Sequence, residues 1–379
     1  MALKNFSGIA LIALCMLVSS ASGQSLNEAL NEEVVMLPKM GKFFTLNLET
    51  TIYKPKGDGP FPIVVINHGK APGDPRFQTR YRHAGAARFF LQRGYVVLIP
   101  MRQGFSNSEG VYIDAGCNVE SNGRVQAEDI EAVLNYVAKQ SWADKNKILV
   151  MGQSHGGWTS LAFGTLKYPG VRGLVNFAGG LRQTSCASWE SNLIRAAKNY
   201  GEETQTPSLW FYGDNDSYFS TYVFHQMHEK YVEAGGKASL IAFGTFGSDA
   251  HSMFGSRNGE VIWQPAVEKF MQEIGLPVAI KFPRYAQPAR MPAPPRSDFA
   301  ELTEIFKVPY VSDKGREGFQ TFLTKQQPRA FAISATGAWS WTEMGDDPLQ
   351  RALDSCNKRS KQPCRLYAVD DQVVWVEEP

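Results

Sequence analysis

Between about residues 43 and 273, short apolar runs alternate with longer amphipathic stretches. Ile63-Val64-Val65-Ile66, Tyr95-Val96-Val97-Leu98-Ile99 and Ile148-Leu149-Val150-Met151 are continuous apolar runs of strand length, as strands covered on both faces require. Further strands are expected at 171–177, 209–212 and 239–243, and an early antiparallel strand element at 43–53. The stretch 81–92 reads as a helix ending at Gly94. The stretch 125–139 places Ile130, Val133, Leu134 and Val137 on one helical face, and 222–233 and 261–273 are also helical. This alternation predicts an α/β fold, a mostly parallel sheet with crossover helices on both faces. Between 177 and 209 only a short helix near 192–200 is expected. That is too little for a large cap, so a site at the strand ends should be open.

From 277 to 295 the pattern stops. Six prolines fall there, and proline supplies no N–H to a helix or ladder, so the stretch reads as an extended linker. Beyond it, 330–334, 366–369 and 372–376 read as strands and 348–357 as a helix, a small α+β module. The expected organisation is a signal peptide at 1–23, an α/β domain at 24–276, a linker at 277–297 and a C-terminal module at 298–379. No internal repeat is visible.

The amino terminus is expected to be a secretory signal: Lys4, an apolar run from Ile9 to Val18, then small residues, with cleavage before Gln24. That run is too short for a comfortable membrane span, and no other segment looks transmembrane. The predicted location is secreted or periplasmic. Four cysteines then remain in an oxidising compartment, an even number that suggests disulfides. Cys356 and Cys364 are close in sequence and are expected to pair, which leaves Cys117 with Cys186. The net charge of +2 on 379 residues offers no footprint for nucleic acid or an anionic membrane. Small or weakly charged partners are expected.

The chemistry concentrates at Gly152-Gln153-Ser154-His155-Gly156-Gly157, directly after the 148–151 strand. A strand that turns at once into a helix crowds the backbone, and flanking glycines remove the Cβ atoms that would clash. A serine at the tip is then held above a helix N-terminus, where free amides favour a developing negative charge. Serine needs a base to take its proton and an acid to hold the base. His251 follows the last predicted strand and is the base candidate. Asp216 leaves the 209–212 strand through Gly213-Asp214-Asn215 and is the acid candidate, ahead of Asp214; Asp249 is a less natural orienter. The oxyanion donors are expected to be the backbone amides of His155 and of Lys70, in the loop Asn67-His68-Gly69-Lys70, with His68 positioning that loop. Trp158, Trp189, Tyr218, Phe219 and Phe254 are candidates for an apolar pocket, or else core residues. His225 and His228 read as a partly solvated helix face, and no metal site or cofactor is expected.

These residues carry a resemblance. With Asn67-His68-Gly69, Pro100-Met101-Arg102-Gln103-Gly104-Phe105-Ser106, the Ser154 turn, Tyr212-Gly213-Asp214-Asn215-Asp216 and Asp249-Ala250-His251, the chain resembles the α/β-hydrolases, in particular the dienelactone-hydrolase-like and prolyl-oligopeptidase-like serine esterase branch. The resemblance covers roughly 60–275 and implies the α/β-hydrolase fold and a Ser-His-Asp triad. The dienelactone hydrolases proper carry cysteine where this chain has Ser154, so that substrate is not implied. The expected activity is cleavage of a small-molecule or oligomeric carboxylic ester through an acyl-enzyme. A serine peptidase of the same fold and a non-catalytic binding module are the alternatives. Nothing in the sequence selects a partner for the C-terminal module.

Overall fold

The computed structural model describes residues 26–41, 44–288, 291–325, 327–343 and 347–377. The signal segment expected at 1–23 lies outside them. The elements run β1 (Glu32–Met40), β2 (Thr45–Tyr53), β3 (Phe61–Asn67), α1 (Ala84–Gln92), β4 (Val96–Pro100), α2 (Val119–Val137), β5 (Ala143–Gln153), α3 (His155–Gly164), β6 (Val171–Phe177), α4 (Trp189–Glu203), β7 (Ser208–Tyr212), α5 (Thr221–Glu233), β8 (Ala238–Ala242) and α6 (Glu260–Glu273). The strands form one eight-stranded sheet in the order β1-β2-β4-β3-β5-β6-β7-β8. β1 and β2 pair antiparallel, β2 pairs antiparallel with β4, and the rest are parallel.

The continuous apolar runs have a direct cause. Successive strand side chains point to opposite faces. Ile63, Val65, Val96, Leu98, Ile148 and Val150 enter the core under α2, α3 and α4. Val64, Ile66, Val97, Ile99, Leu149 and Met151 enter the core under α1 and α6. With helices on both faces, both sets of side chains along these runs are buried, so neither face calls for a polar residue there.

The edge departs from expectation. The early element is a hairpin whose first strand, β1, carries Pro38, Lys39 and two glutamates; Leu37 lies opposite Leu48. Edge strands tolerate proline and charge, so they lack the apolar signature of central ones. Glu32 is 5% exposed and ion-paired with Arg80 and Arg82, a partnership separated by about fifty residues of sequence. Helix α2 begins earlier than predicted, at Val119, because the Asn118 side chain caps it by accepting from the Ser121 amide at 2.9 Å. Helix α1 begins later, at Ala84, where the His83 ring accepts from the Ala86 amide.

The stretch after α6 is docked, not free-running, over 277–288. Tyr285 is buried in the α1/α6 core, and the amides of Lys281 and Phe282 both donate to the Gln92 carbonyl. A second, four-stranded antiparallel sheet follows, built from α7 (Asp313–Leu323), β9 (Arg329–Ile333), β10 (Trp339–Glu343), α8 (Pro348–Asn357), β11 (Arg365–Val369) and β12 (Gln372–Val373), in the order β10-β9-β11-β12. α7 packs Phe319 and Phe322 against Phe331 and Tyr367 on one face; α8 packs Leu349 and Ala352 against Ala330 and Leu366 on the other. The sequence pattern missed α7 and β10. In β10 the buried positions are Ser340 and Thr342, which inverts the usual apolar alternation. In α7 a Cβ at Gly318 would meet the Trp339 ring at 2.3 Å, so a residue that weakens helix propensity is required for close approach. Cys356–Cys364 bridges α8 to the approach of β11, and Cys117–Cys186 bridges the segment before α2 to that before α4, with Cα separations of 6.0 and 5.7 Å.

Candidate active site

Ser154 stands between β5 and α3 with φ 56° and ψ −126°, a region that costs a non-glycine residue about 1–3 kcal/mol. Its neighbours show why the turn is this tight. A Cβ at Gly152 would lie 2.4 Å from the Gly156 carbonyl oxygen, and one at Gly156 would lie 2.1 Å from that of Asn67. Only glycine lets β5, the elbow and the end of β3 pack so closely. His155 is the first residue of α3, where a backbone N–H has no intrahelical acceptor.

The loops after β7 and β8 bring Asp216 and His251 together. His251 Nδ1 lies 3.0 Å from Asp216 Oδ2, and the residues are 8% and 9% exposed. The other carboxylate oxygen, Oδ1, accepts the amides of Tyr218 and Phe219 at 2.8 and 3.0 Å. The carboxylate is therefore oriented by its own loop before it meets the imidazole. Asp214, the runner-up acid, is exposed.

Two residues that motif reasoning passed over bind these loops to each other and to the elbow. The Gln153 side-chain amide donates to the His251 carbonyl at 2.7 Å. Asp249 accepts from the His251 amide at 2.9 Å and from the Ser217 amide and hydroxyl at 3.1 and 2.6 Å. Asp249 thus clamps the loop of His251 to that of Asp216, instead of orienting the ring. No pattern marks Gln153, which occupies a variable position of the motif. Asp249 was visible only as a carboxylate near a histidine.

The expected apolar pocket divides. Trp158 is fully buried, donates its indole N–H to the Val119 carbonyl and packs on Tyr200. Phe254 is stacked on Phe177 in the α1/α6 core. Both are core residues, because the helix and loop that carry them turn these rings inward. Phe219 is buried against Leu193 and Trp189 beneath the site. Trp189 is half-buried, with Arg182 over its ring. Tyr218 is 37% exposed and sits 4.4 Å from the His251 ring, where it covers the imidazole.

The histidines beside the expected oxyanion amides are buried. His68 touches the Gly69 carbonyl and the Arg102 amide, and His155 lies between Arg102 and Asn122. Burial and the Arg102 charge hold both rings well below the usual histidine range, so they are neutral. Among the described residues no group of three or more His, Cys, Asp or Glu could hold a metal ion, and no helix is long and apolar enough to cross a membrane.

The sequence profile of the X-Pro dipeptidyl-peptidase (S15 family) matches residues 45–237, more than half of the chain. The chain belongs to the S15 family. The matched span includes Ser154 and Asp216 and ends before His251. This S15-family chain is 30% identical over 161 residues to dipeptidyl aminopeptidase BIII of Pseudoxanthomonas mexicana, a match covering 41% of this chain and 22% of that protein. It is 30% identical over 121 residues to 2-hydroxy-6-oxo-6-phenylhexa-2,4-dienoate hydrolase of Burkholderia cepacia, covering 32% of this chain and 37% of that one. The match thus spans well under half the length of either relative. Dipeptidyl peptidase 4 of Porphyromonas gingivalis shares the fold, with a TM-score of 0.50 at 16% identity over 64% of this chain and 35% of that one. The S15-family chain is thus similar in sequence both to a dipeptidyl aminopeptidase and to a dienoate hydrolase.

Proposed function

We propose that the chain is an exported serine hydrolase that cleaves a carboxylic ester through an acyl-enzyme. Ser154 Oγ attacks the carbonyl carbon as His251 Nε2 takes its proton. The Nδ1–H of His251 donates to Asp216, whose charge stabilises the imidazolium. The amides of His155 and Lys70 receive the oxyanion. His251 then protonates the leaving alkoxide, and afterwards removes a proton from the water that hydrolyses the acyl-enzyme. One observation carries this reading: the 3.0 Å contact of His251 Nδ1 with Asp216, on a loop tied by Gln153 to the position next to Ser154. The insertion between β6 and β7, with α4 as its helix, is compatible with simple esters. Tyr218 and Trp189 are the aromatic side chains left to meet an acyl or alcohol group. The disulfides fit an oxidising compartment, which supports export.

The deciding experiment is hydrolysis of short p-nitrophenyl esters by the chain and its Ser154→Ala variant, with fluorophosphonate labelling of each. Turnover and labelling by the parent that both vanish in the variant are expected. Unlabelled, folded parent protein would favour a binding module. Family membership favours a second reading, a dipeptidyl peptidase, and an X-Pro p-nitroanilide run beside the esters separates the two. A kcat/KM for the anilide above that for every ester would replace the esterase proposal.

A further inference from the structure

The two turns expected to supply oxyanion amides each carry a buried histidine, and both histidines meet Arg102, which is itself fully buried. The hydrogen positions around them follow from what each partner can do. The Arg102 backbone N–H lies 3.2 Å from His68 Nε2 and can only donate, so Nε2 carries the lone pair and the proton is on Nδ1. Nδ1 lies 2.7 Å from the Gly69 carbonyl oxygen, which can only accept. The Gln78 side-chain amide donates to the same oxygen at 3.1 Å. The Gly69 carbonyl is thus held from one side by two donors.

That carbonyl belongs to the same peptide plane as the Lys70 N–H. In a trans peptide the two point in opposite directions. Pulling the oxygen toward His68 therefore fixes the Lys70 amide away from His68. The same turn faces the serine: a Cβ at Gly69 would sit 3.4 Å from Ser154 Cβ and 3.9 Å from Oγ.

A matching chain runs through the other turn. Arg102 Nη2 lies 3.2 Å from His155 Nδ1, so Nδ1 accepts and Nε2 carries the proton. Nε2 donates to Asn122 Oδ1 at 2.7 Å. The Asn122 orientation is settled by its Nδ2, which donates to the carbonyls of Ile113 and Asp114 at 3.0 and 2.8 Å. The guanidinium is held in turn by Gln126 Oε1 at 3.1 Å from Nε.

We infer that His68 and Arg102 are positioning residues that aim the two oxyanion amides, His68 by gripping the Gly69 carbonyl, and Arg102 through its backbone N–H, which fixes the tautomer of His68, and its guanidinium, which seats His155. The inference rests on the reading of Ser154 as nucleophile and of the Lys70 and His155 amides as oxyanion donors. Neither side chain touches substrate. Each acts on the direction of a backbone N–H.

The test pairs His68→Asn with His68→Leu. The asparagine places an N–H donor near the position of Nδ1, and the leucine places none. His68→Asn is expected to keep most of kcat on a p-nitrophenyl ester. His68→Leu is expected to lose on the order of 100-fold in kcat, the usual effect of one misplaced oxyanion donor, with KM little changed. Equal loss in both variants, or none in either, overturns the inference. A second readout needs no variant and no turnover. With 15N-histidine labelling, the parent should show His68 protonated on Nδ1 and His155 on Nε2, and the opposite tautomer on His68 overturns the inference even in an active hydrolase. Absence of fluorophosphonate labelling in the parent would instead sink the Ser154 reading, so the two failures are distinguishable.

Discussion

The side-chain amide of Gln153 donates to the backbone carbonyl of His251 at 2.7 Å, joining residues 98 apart in sequence. One holds the position before the candidate nucleophile; the other is the candidate base. Through this bond β5, a central strand of the parallel core, sets the height of the histidine loop. Gln153→Leu removes the donor and leaves a partly buried carbonyl unpaired, a loss of about 1–3 kcal/mol in the placement of the loop. The expected result is a fall in kcat of about tenfold or more. Ester kinetics and circular dichroism check it; an unchanged kcat would mean that the Asp249 clamp alone positions His251.

Asp216 and Asp214 share one loop and differ in what they reach. Asp216→Asn keeps an oxygen for the Tyr218 and Phe219 amides, so the loop should stay intact, while the imidazolium loses its counter-charge and its enforced tautomer. A drop of about 10⁴-fold in kcat is expected by analogy with the serine-protease triad. Asp214→Asn, at an exposed position, should leave kcat within about twofold, since surface substitutions have small effects. Esterase assays on the two variants decide between the carboxylates.

The backbone of Ser154 predicts an activity–stability conflict. At φ 56° a glycine relieves strain that alanine retains. Ser154→Gly should be more stable than Ser154→Ala by about 1 kcal/mol, the relief of strain exceeding the added freedom of the unfolded chain. Both should be inactive. Urea melts of the two variants measure the difference; equal midpoints would indicate a relaxed elbow.

The neutral buried histidines set the acid limit of stability. His68 and His155 are held well below the usual value of 6.5 by burial and by Arg102. When the folded state titrates lower than the unfolded state, the unfolded chain binds protons first as pH falls below about 6.5. Stability is therefore full above that pH and declines below it, by about 1.4 kcal/mol per pH unit for each ring until the folded ring itself titrates. His68→Asn should shallow this slope by about one proton. Unfolding free energies measured between pH 7 and pH 5 test the sign and the step.

The disulfides close loops of very different size, with sequence separations of 69 and 8 residues. On the chain-entropy model, losing the first costs about 4 kcal/mol and losing the second about 2.5 kcal/mol. Cys117→Ser should also loosen the segments before α2 and α4, so ester KM should rise with it. Cys356→Ser should leave ester kinetics unchanged. Denaturant melts and ester kinetics of the two single variants provide the check.

Much of the central sheet was legible because its physics is local and repetitive. Val64 and Val65 face different cores, yet both demand an apolar residue, so β3 to β7 announce themselves as runs. The serine elbow was legible for a related reason: a Cβ at Gly152 would meet the Gly156 carbonyl only four residues on, so part of the steric demand is local, although the demand on Gly156 comes from Asn67 on β3. β1 and β10 were not legible. One is an edge strand whose Glu32 is satisfied by Arg80 and Arg82 from a distant loop, and the other buries Ser340 and Thr342.

The amino-acid order by itself determined the layer architecture, the position of the elbow, and which residue types could serve as base and acid, since burial periodicity and turn sterics act over short stretches of chain. Tertiary structure alone brought Asp216, the carboxylate the sequence already favoured over Asp214, against His251, and decided that Gln153 and Asp249 lock the loops, that Trp158 and Phe254 belong to the core, and that Arg102 binds two histidines. Each of these is a hydrogen bond or a packing contact across tens of residues. Its partner is chosen by the three-dimensional path of the strands, which no local pattern encodes.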